Sequence, residues 1–293
     1  MRIAFGLVTA LLFATATLTA ARAADGQITI VAAENFYGDV AQQIGGDLVS
    51  VVNILSNPDQ DPHLFEITPG TARTIAAAQI VIENGADYDP WMDKILTVAA
   101  HPGRTVINVA QLVGKKPGDN PHLWYDPQTM PTVAKALAEA LGKADPVHKN
   151  DYEARLKTFV ASHKAIDDKI AAIRHKYEGS AVTASEPVFG YMAGALGLKM
   201  RNESFQLSIM NSTEPSARDV ASFEDDLKHH KVKVMFFNKQ ASDKAVERLV
   251  KLAREAKIPV VGITETEPPG MHYQDWMLDQ LNATEKALAG HSS

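Results

Sequence analysis

Two segments of this chain carry histidines in a setting suited to metal chemistry: Asp61-Pro62-His63-Leu64-Phe65 and Asn120-Pro121-His122-Leu123-Trp124-Tyr125-Asp126-Pro127. In both, the imidazole follows a proline in a stretch that reads as a strand-to-helix connection. Proline fixes its own φ and pushes the residue before it towards extended backbone, so each histidine stands on a stiffened loop. Neutral imidazole is the commonest protein ligand for transition metals. Two stiffly held histidines about sixty residues apart therefore point to one metal site shared by two loops. The 293-residue chain has no cysteine, which leaves His, Asp, Glu and water as donors.

The elements that must position these loops alternate between strands and helices. In the first half, apolar β-rich runs predict strands at 28–32, 49–55, 80–82 and 105–107, with helical patterns at 36–44, 69–78 and 91–99. Pro69 suits the first position of a helix. In the second half, strands are expected at 181–184, 200–203, 232–237 and 260–263, and helices at 188–196, 216–228, 243–256 and 274–289. Short buried-type strands alternating with helices indicate two α/β lobes, each built on a mostly parallel sheet flanked by helices.

Between the halves, Tyr152, Leu156, Phe159, His163, Ile166, Ile170, Ile173 and Tyr177 follow an unbroken 4-3 spacing, one apolar stripe on one helix. Its 26 residues would span about 39 Å, longer than a small lobe is wide. The stripe predicts a helix running along both lobes; an isolated coiled-coil segment is the alternative. Such a connector resists bending and keeps lobe closure small. The expected division is 24–147 for the first lobe, 148–178 for the connecting helix and 179–293 for the second lobe.

Residues 1–23 read as a secretory signal. Arg2 is followed by a largely apolar run over 3–18 and by Ala21-Arg22-Ala23, a small-x-small cleavage pattern. The run is too short, and too interrupted by threonine, for a comfortable membrane span. Loss of Arg2 and Arg22 takes the formal charge from −6 to −8, which speaks against a nucleic-acid or anionic-membrane partner. With no cysteine to carry a lipid, the expectation is a monomeric, soluble periplasmic protein without a direct membrane anchor.

In open parallel sheets, ligands bind beyond the carboxyl ends of the strands. His63 lies eight residues past the second expected strand, and His122 in the long connection after the fourth. In the second half, Glu186 and Glu265 each follow a strand almost directly. If the two lobes face one another, two imidazoles and two carboxylates form a closed cage. Glu267, in Thr264-Glu265-Thr266-Glu267-Pro268, rivals Glu265.

The chain resembles the zinc/manganese-type solute-binding proteins of ABC importers, the cluster A-I or family 9 binding proteins. The resemblance spans the mature chain and rests on Ala32-Ala33-Glu34-Asn35-Phe36-Tyr37, the two Pro-His segments, Glu214-Pro215-Ser216 and the long central helix. It implies one metal held between two lobes, with His63, His122, Glu186 and Glu265 as ligands. Glu186 matches the manganese-type members, whereas zinc-type members often have histidine there. Glu265 stands where the family commonly has aspartate. The segment 111–119 lacks the histidine-rich loop of many zinc-type members, which again points towards the manganese pattern.

The other histidines read differently. His163 belongs to the helix stripe, His229 and His230 to a solvated helix end, and His148 and His175 to an exposed surface. His272 is near enough to Glu265 in sequence to need placing, and Asn238, directly after a strand, suits an outer contact. Two imidazoles and two carboxylates satisfy Zn(II) as a tetrahedral set, and Mn(II) or Fe(II) if the carboxylates bind through both oxygens. The implied function is capture of a divalent transition metal in the periplasm and its delivery to a membrane permease with its ATPase, without catalysis. A zinc-dependent hydrolase is the rival, but no His-Glu-x-x-His motif is present. A binding protein for an iron chelate is a third reading, disfavoured by so few aromatics.

Overall fold

The computed structural model describes residues 26–59, 65–240 and 244–290. Its first half comprises β1 (Ile28–Glu34), α1 (Asn35–Gly45), β2 (Val49–Leu55), α2 (Pro69–Ala77), β3 (Ile80–Glu83), α3 (Pro90–Val98), β4 (Thr105–Asn108) and the short α4 (Val109–Leu112). Pro69 opens α2, and the Thr68 side chain caps it by accepting from the Thr71 N–H. The four strands pair in parallel in the order β2-β1-β3-β4. Next come α5 (Thr129–Ala144) and α6 (Lys149–Tyr177). The second half runs β5 (Ala181–Ala184), α7 (Gly190–Ala195), β6 (Lys199–Arg201), α8 (Glu203–Met210), α9 (Ala217–Lys228), β7 (Met235–Asn238), α10 (Lys244–Glu255), β8 (Val260–Ile263) and α11 (Tyr273–Leu288). Its strands are also parallel, in the order β6-β5-β7-β8.

The two-lobed α/β class agrees with the sequence expectation, and the element ends differ in instructive places. The strand expected at 200–203 is β6 at Lys199–Arg201: Asn202 takes a left-handed φ of 61° and Glu203 already opens α8. The strand expected at 232–237 is β7 at Met235–Asn238; Val232 and Val234 are buried without belonging to it. Helix α5 has no counterpart among the expected helices. Yet Met130, Val133, Ala134, Leu137, Ala138 and Leu141 recur at helical spacing and are all buried.

Both faces of each sheet are covered. Ile28, Ile30, Ala32, Ile80 and Ile82 point to a central core, while Val31, Ala33 and Val81 pack on the other face with Ile75, Trp91, Met92 and Ile95. In the second sheet, Val182, Ala184, Phe236, Val261 and Ile263 point into that same central core. Met235 packs on the far side with Phe223, Leu227, Val246 and Leu249. The central core therefore runs without a break from one sheet to the other, through α1, α5, α6 and α11. The lobes share an interior as well as a connecting helix.

At 29 residues, α6 spans about 43 Å. Its buried residues are Tyr152, Phe159, His163, Ile166, Ile170 and Ile173, packed against α5 and α11, which excludes an isolated coiled coil. His163 is a packed residue: its ring stacks on Tyr273 with centroids 6.3 Å apart, and Nδ1 lies 3.8 Å from the Asp167 carboxylate. Among the described residues, no helix is long and apolar enough to cross a membrane.

One buried group lacks compensation. Glu34, the last residue of β1, is 1% exposed, and neither carboxyl oxygen has a hydrogen-bond partner. Burial, reinforced by the nearby Asp89 and Glu83 carboxylates, raises its pKa well above 4.5.

Two outcomes follow from this packing. Ile166→Ala opens a cavity in the shared core and costs about 2–5 kcal/mol, measurable by denaturant unfolding. Glu34 holds its proton more tightly in the folded chain than in the unfolded one. Its contribution to stability is therefore complete at low pH and is lost as pH rises from the unfolded value through the folded one. In metal-free protein, the melting-temperature advantage of Glu34→Gln over the parent should widen from about pH 5 to about pH 8. A constant difference over that range would show the carboxyl to be solvated.

Candidate metal centre

Strand order brings the second lobe's polar residues together. Because β7 lies between β5 and β8, its last residue Asn238 stands between Glu186, two residues past β5, and Glu265, two residues past β8. All three are buried. The Asn238 amide nitrogen donates to Glu186 Oε2 at 2.6 Å and to Glu265 Oε1 at 2.5 Å. Its Oδ1 accepts the Gln240 N–H at 3.0 Å, which fixes the orientation of the amide. The Asn238 N–H donates to Ser185 Oγ, and Gln240 Oε1 accepts the Glu265 N–H at 2.6 Å.

The first lobe supplies His122 and Tyr88. His122 is fully buried, and its Nε2 lies 3.3 Å from Glu265 Oε2. Its Nδ1 lies 2.6 Å from Asn120 Oδ1, while Asn120 Nδ2 donates to the Pro187 carbonyl at 2.8 Å. A carbonyl can only accept, so the Asn120 amide presents its oxygen to the imidazole. The Nδ1 position then carries the proton and Nε2 presents its lone pair to the cleft. Asn84 steadies the same loop by donating to the Pro121 carbonyl at 2.9 Å while accepting from Tyr37. The loop histidine is thus tied to an amide and not to Asp126.

Tyr88 follows three consecutive left-handed residues, Gly85, Ala86 and Asp87, with φ of 73°, 51° and 63°. At Gly85 a Cβ would also lie 2.7 Å from Asn108 Oδ1, so glycine is required twice over. Asp89 clamps this turn by accepting the Asn84 and Gly85 N–H groups, each at 2.7 Å. Burial lifts the Asp89 carboxyl to about 7 against the pull of those N–H groups. The turn aims Tyr88 across the cleft, where its hydroxyl donates to Glu265 Oε2 at 2.9 Å. Burial and the Glu265 charge raise the Tyr88 pKa, which keeps it a donor.

Of the residues singled out from the sequence, His122, Glu186 and Glu265 meet here through one close approach and one bridging amide. His63 lies outside the described residues, as do residues 1–23, read from the sequence as a leader. Among the described residues, no three His, Asp or Glu side chains stand together as a finished ligand group. Glu267 faces elsewhere: its backbone pairs with the Asn35 side chain at 2.7 and 3.0 Å. Burial and then Asp39 lift its carboxyl to about 9. His272 sits on Asp39 at 2.7 Å, away from Glu265. His229 pairs with Asp225 and His148 with Asp145 at the surface.

The donor set fits a divalent metal ion. Two donors about 2.1 Å from one metal are about 3.4 Å apart at a tetrahedral angle and about 3.0 Å apart at an octahedral one. The 3.3 Å between His122 Nε2 and Glu265 Oε2 is such an edge. Imidazole and carboxylate donors with no thiolate suit zinc, manganese and ferrous iron alike.

Two parallel-sheet lobes on a shared core, joined by one long helix, define the fold of a bilobed substrate-binding protein. The chain belongs to the family described as zinc-uptake complex component A, periplasmic, whose sequence pattern matches residues 30–287. That family is one of substrate-binding proteins and not of enzymes. The chain is 25% identical over 266 residues to the manganese-binding lipoprotein MntA of Bacillus subtilis, covering 85% of each protein. It is 24% identical over 259 residues to the high-affinity zinc uptake system protein ZnuA of the same organism, covering 81% of this chain and 80% of that one. The periplasmic zinc-binding protein TroA of Treponema pallidum shares the fold with a TM-score of 0.74 at 19% identity, covering 90% of this chain and 99% of that one.

The Asn120 contact generates a direct expectation. Asn120→Ala removes the partner that sets the His122 tautomer and should weaken Zn(II) binding by about 10–100-fold in chelator competition. Asn120→Asp keeps an acceptor for Nδ1 and should retain more affinity than the alanine variant.

Proposed function

We propose that this protein captures a divalent transition metal, Zn(II) or Mn(II), between its two lobes and delivers it to an ABC permease with its ATPase. Fe(II) has compatible ligand chemistry. The observation that carries this reading is the buried 3.3 Å approach of His122 Nε2 to Glu265 Oε2 across the cleft, with Glu186 held beside it by Asn238. Family membership supports the same role.

The proposed ligands are His63, His122, Glu186 and Glu265. His63 is assigned on its Pro-His motif and the family pattern; Glu265 is preferred to Glu267 because it faces His122. The proposed division is a first lobe over 24–147, a connecting helix over 148–178 and a second lobe over 179–293. Residues 1–23 are assigned as a cleaved leader, giving a soluble periplasmic monomer with no catalytic role.

Capture requires that cargo displace water and protons from the donors. The Asn120 contact holds His122 in the tautomer that presents a lone pair. Ligands must be deprotonated to bind, so affinity should fall as pH drops through the imidazole range. Because the lobes share a core, occupancy changes their relative placement only slightly. A permease would read that small change.

Elemental analysis after equilibrium dialysis tests the assignment. The parent should retain one equivalent of metal. His63→Ala and His122→Ala should each lose affinity beyond the roughly 10–100-fold that removal of an outer contact costs. Parent-like retention in both variants would overturn the proposal.

A further inference from the structure

The oxygen of Glu265 that faces His122 is held from the opposite lobe. With the proton of His122 fixed on Nδ1 by Asn120, Nε2 and Glu265 Oε2 are both acceptors, and at 3.3 Å their lone pairs oppose one another. That approach is unfavourable in itself and has to be imposed by neighbouring groups. Asn238 pins Glu265 Oε1 at 2.5 Å, but a carboxylate pinned at one oxygen can still swing the other. The Tyr88 hydroxyl donates to Oε2 at 2.9 Å and removes that freedom. It takes one lone pair of the oxygen and leaves the other for a metal. Tyr88 has little freedom of its own. It is 2% exposed, and its ring packs edge-on against Trp124 and His122 with centroids 5.0 and 6.0 Å apart. Its N–H donates to the Gly85 carbonyl across the turn. That turn holds two non-glycine residues, Ala86 and Asp87, in left-handed backbone, a cost that folds sustain where a side chain has to be placed for function.

We propose that Tyr88 is a positioning residue for the cargo site: its hydroxyl holds Glu265 Oε2 facing His122 before metal arrives and keeps that bond once metal is bound. The inference rests on the metal-capture reading above and concerns how firmly the site holds its metal, whatever the number of donors. Bringing two acceptors together costs free energy. Where folding has already met that cost, the metal does not have to meet it on binding, and affinity rises by the difference. The hydroxyl and the carboxylate belong to different lobes. The same bond therefore makes the ligating orientation of Glu265 conditional on the lobes standing as they do here.

The test compares the mature parent with Tyr88→Phe, which removes the hydroxyl and keeps the ring that packs on Trp124. Zn(II) affinity is measured by chelator competition, and metal-free crystal structures of both proteins give the distance from Glu265 Oε2 to His122 Nε2. In Tyr88→Phe, affinity should fall by about 10–100-fold, and Oε2 should swing away from His122. The second readout is one that a role in packing alone would not move. Parent-like affinity, or a Glu265 carboxylate that stays in place without the hydroxyl, overturns the proposal. If Tyr88→Phe does not fold, a crystal structure of the Zn-loaded parent decides. A Tyr88 hydroxyl still on Glu265 supports the proposal, and one turned to another partner overturns it. A parent that binds Zn(II) no more tightly than Tyr88→Phe sinks this inference alone, whereas a parent that binds no metal sinks the capture reading as well.

Discussion

Two buried carboxylates of like charge at nearby strand ends of one sheet are unfavourable unless donors or a cation stand between them. Glu186 and Glu265 are in that position because β5 and β8 flank β7, and the structure meets the cost with the amide of Asn238. Tyr88 adds to the compensation from the opposite lobe. Each of these groups is neutral, so the negative charge of the pair is softened but not cancelled. A site that keeps uncancelled charge inside a protein has a standing affinity for a cation. The rest of the cleft reads as support for holding that charge in place.

The shared core determines how such a site can work. If each lobe had its own interior, closure could be a large rotation about the connecting helix. Here α1, α5, α6 and α11 contribute to one hydrophobic cluster that reaches both sheets. Polar ties cross the cleft as well: Tyr125 donates to the Thr264 carbonyl at 2.9 Å, and Tyr273 to the Trp124 carbonyl at 2.7 Å. Opening would break these contacts and expose aromatic surface, so a large lobe rotation is opposed. The strained turn before Tyr88 belongs to this logic. Left-handed backbone at Ala86 and Asp87 costs energy, and the Asp89 clamp holds it in place so that one hydroxyl reaches the other lobe.

Much of the architecture was legible in the sequence for a simple reason. Strands covered on both faces read as continuous apolar runs, so β5 and β8 lie where the runs at 181–184 and 260–263 place them. Legibility failed where burial and strand geometry part company. Val232 and Val234 are as buried as strand residues, but the ladder starts at Met235. At Arg201 the strand gives way to a left-handed asparagine, which an apolar pattern does not register. The stripe on α6 was readable because its period is unbroken over 26 residues. Helix α5 had an equally good period over a shorter run, directly after the second Pro-His motif.

The candidate site divides along a different line. Charged and imidazole groups at strand ends can be picked out by type, so Glu186, Glu265 and His122 stand out in the sequence. The groups that orient them are neutral amides and a phenol, and among them Asn238 alone stood out, by its place directly after a strand. Asn120 acts through a contact two residues along the chain, which an Asn-Pro-His order allows but does not require. For Asn238 the outer contact was legible but the bridge was not, because the bridge depends on β7 lying between β5 and β8, and strand order is not written in chain order. In parallel sheets with right-handed crossovers, the strand that enters third in a lobe can be inserted beside the first. That insertion, and not any residue near Glu186 or Glu265 in the sequence, puts an amide between the two carboxylates. The donors of this site belong to the sequence, whereas the amide that spans two of them belongs to the topology.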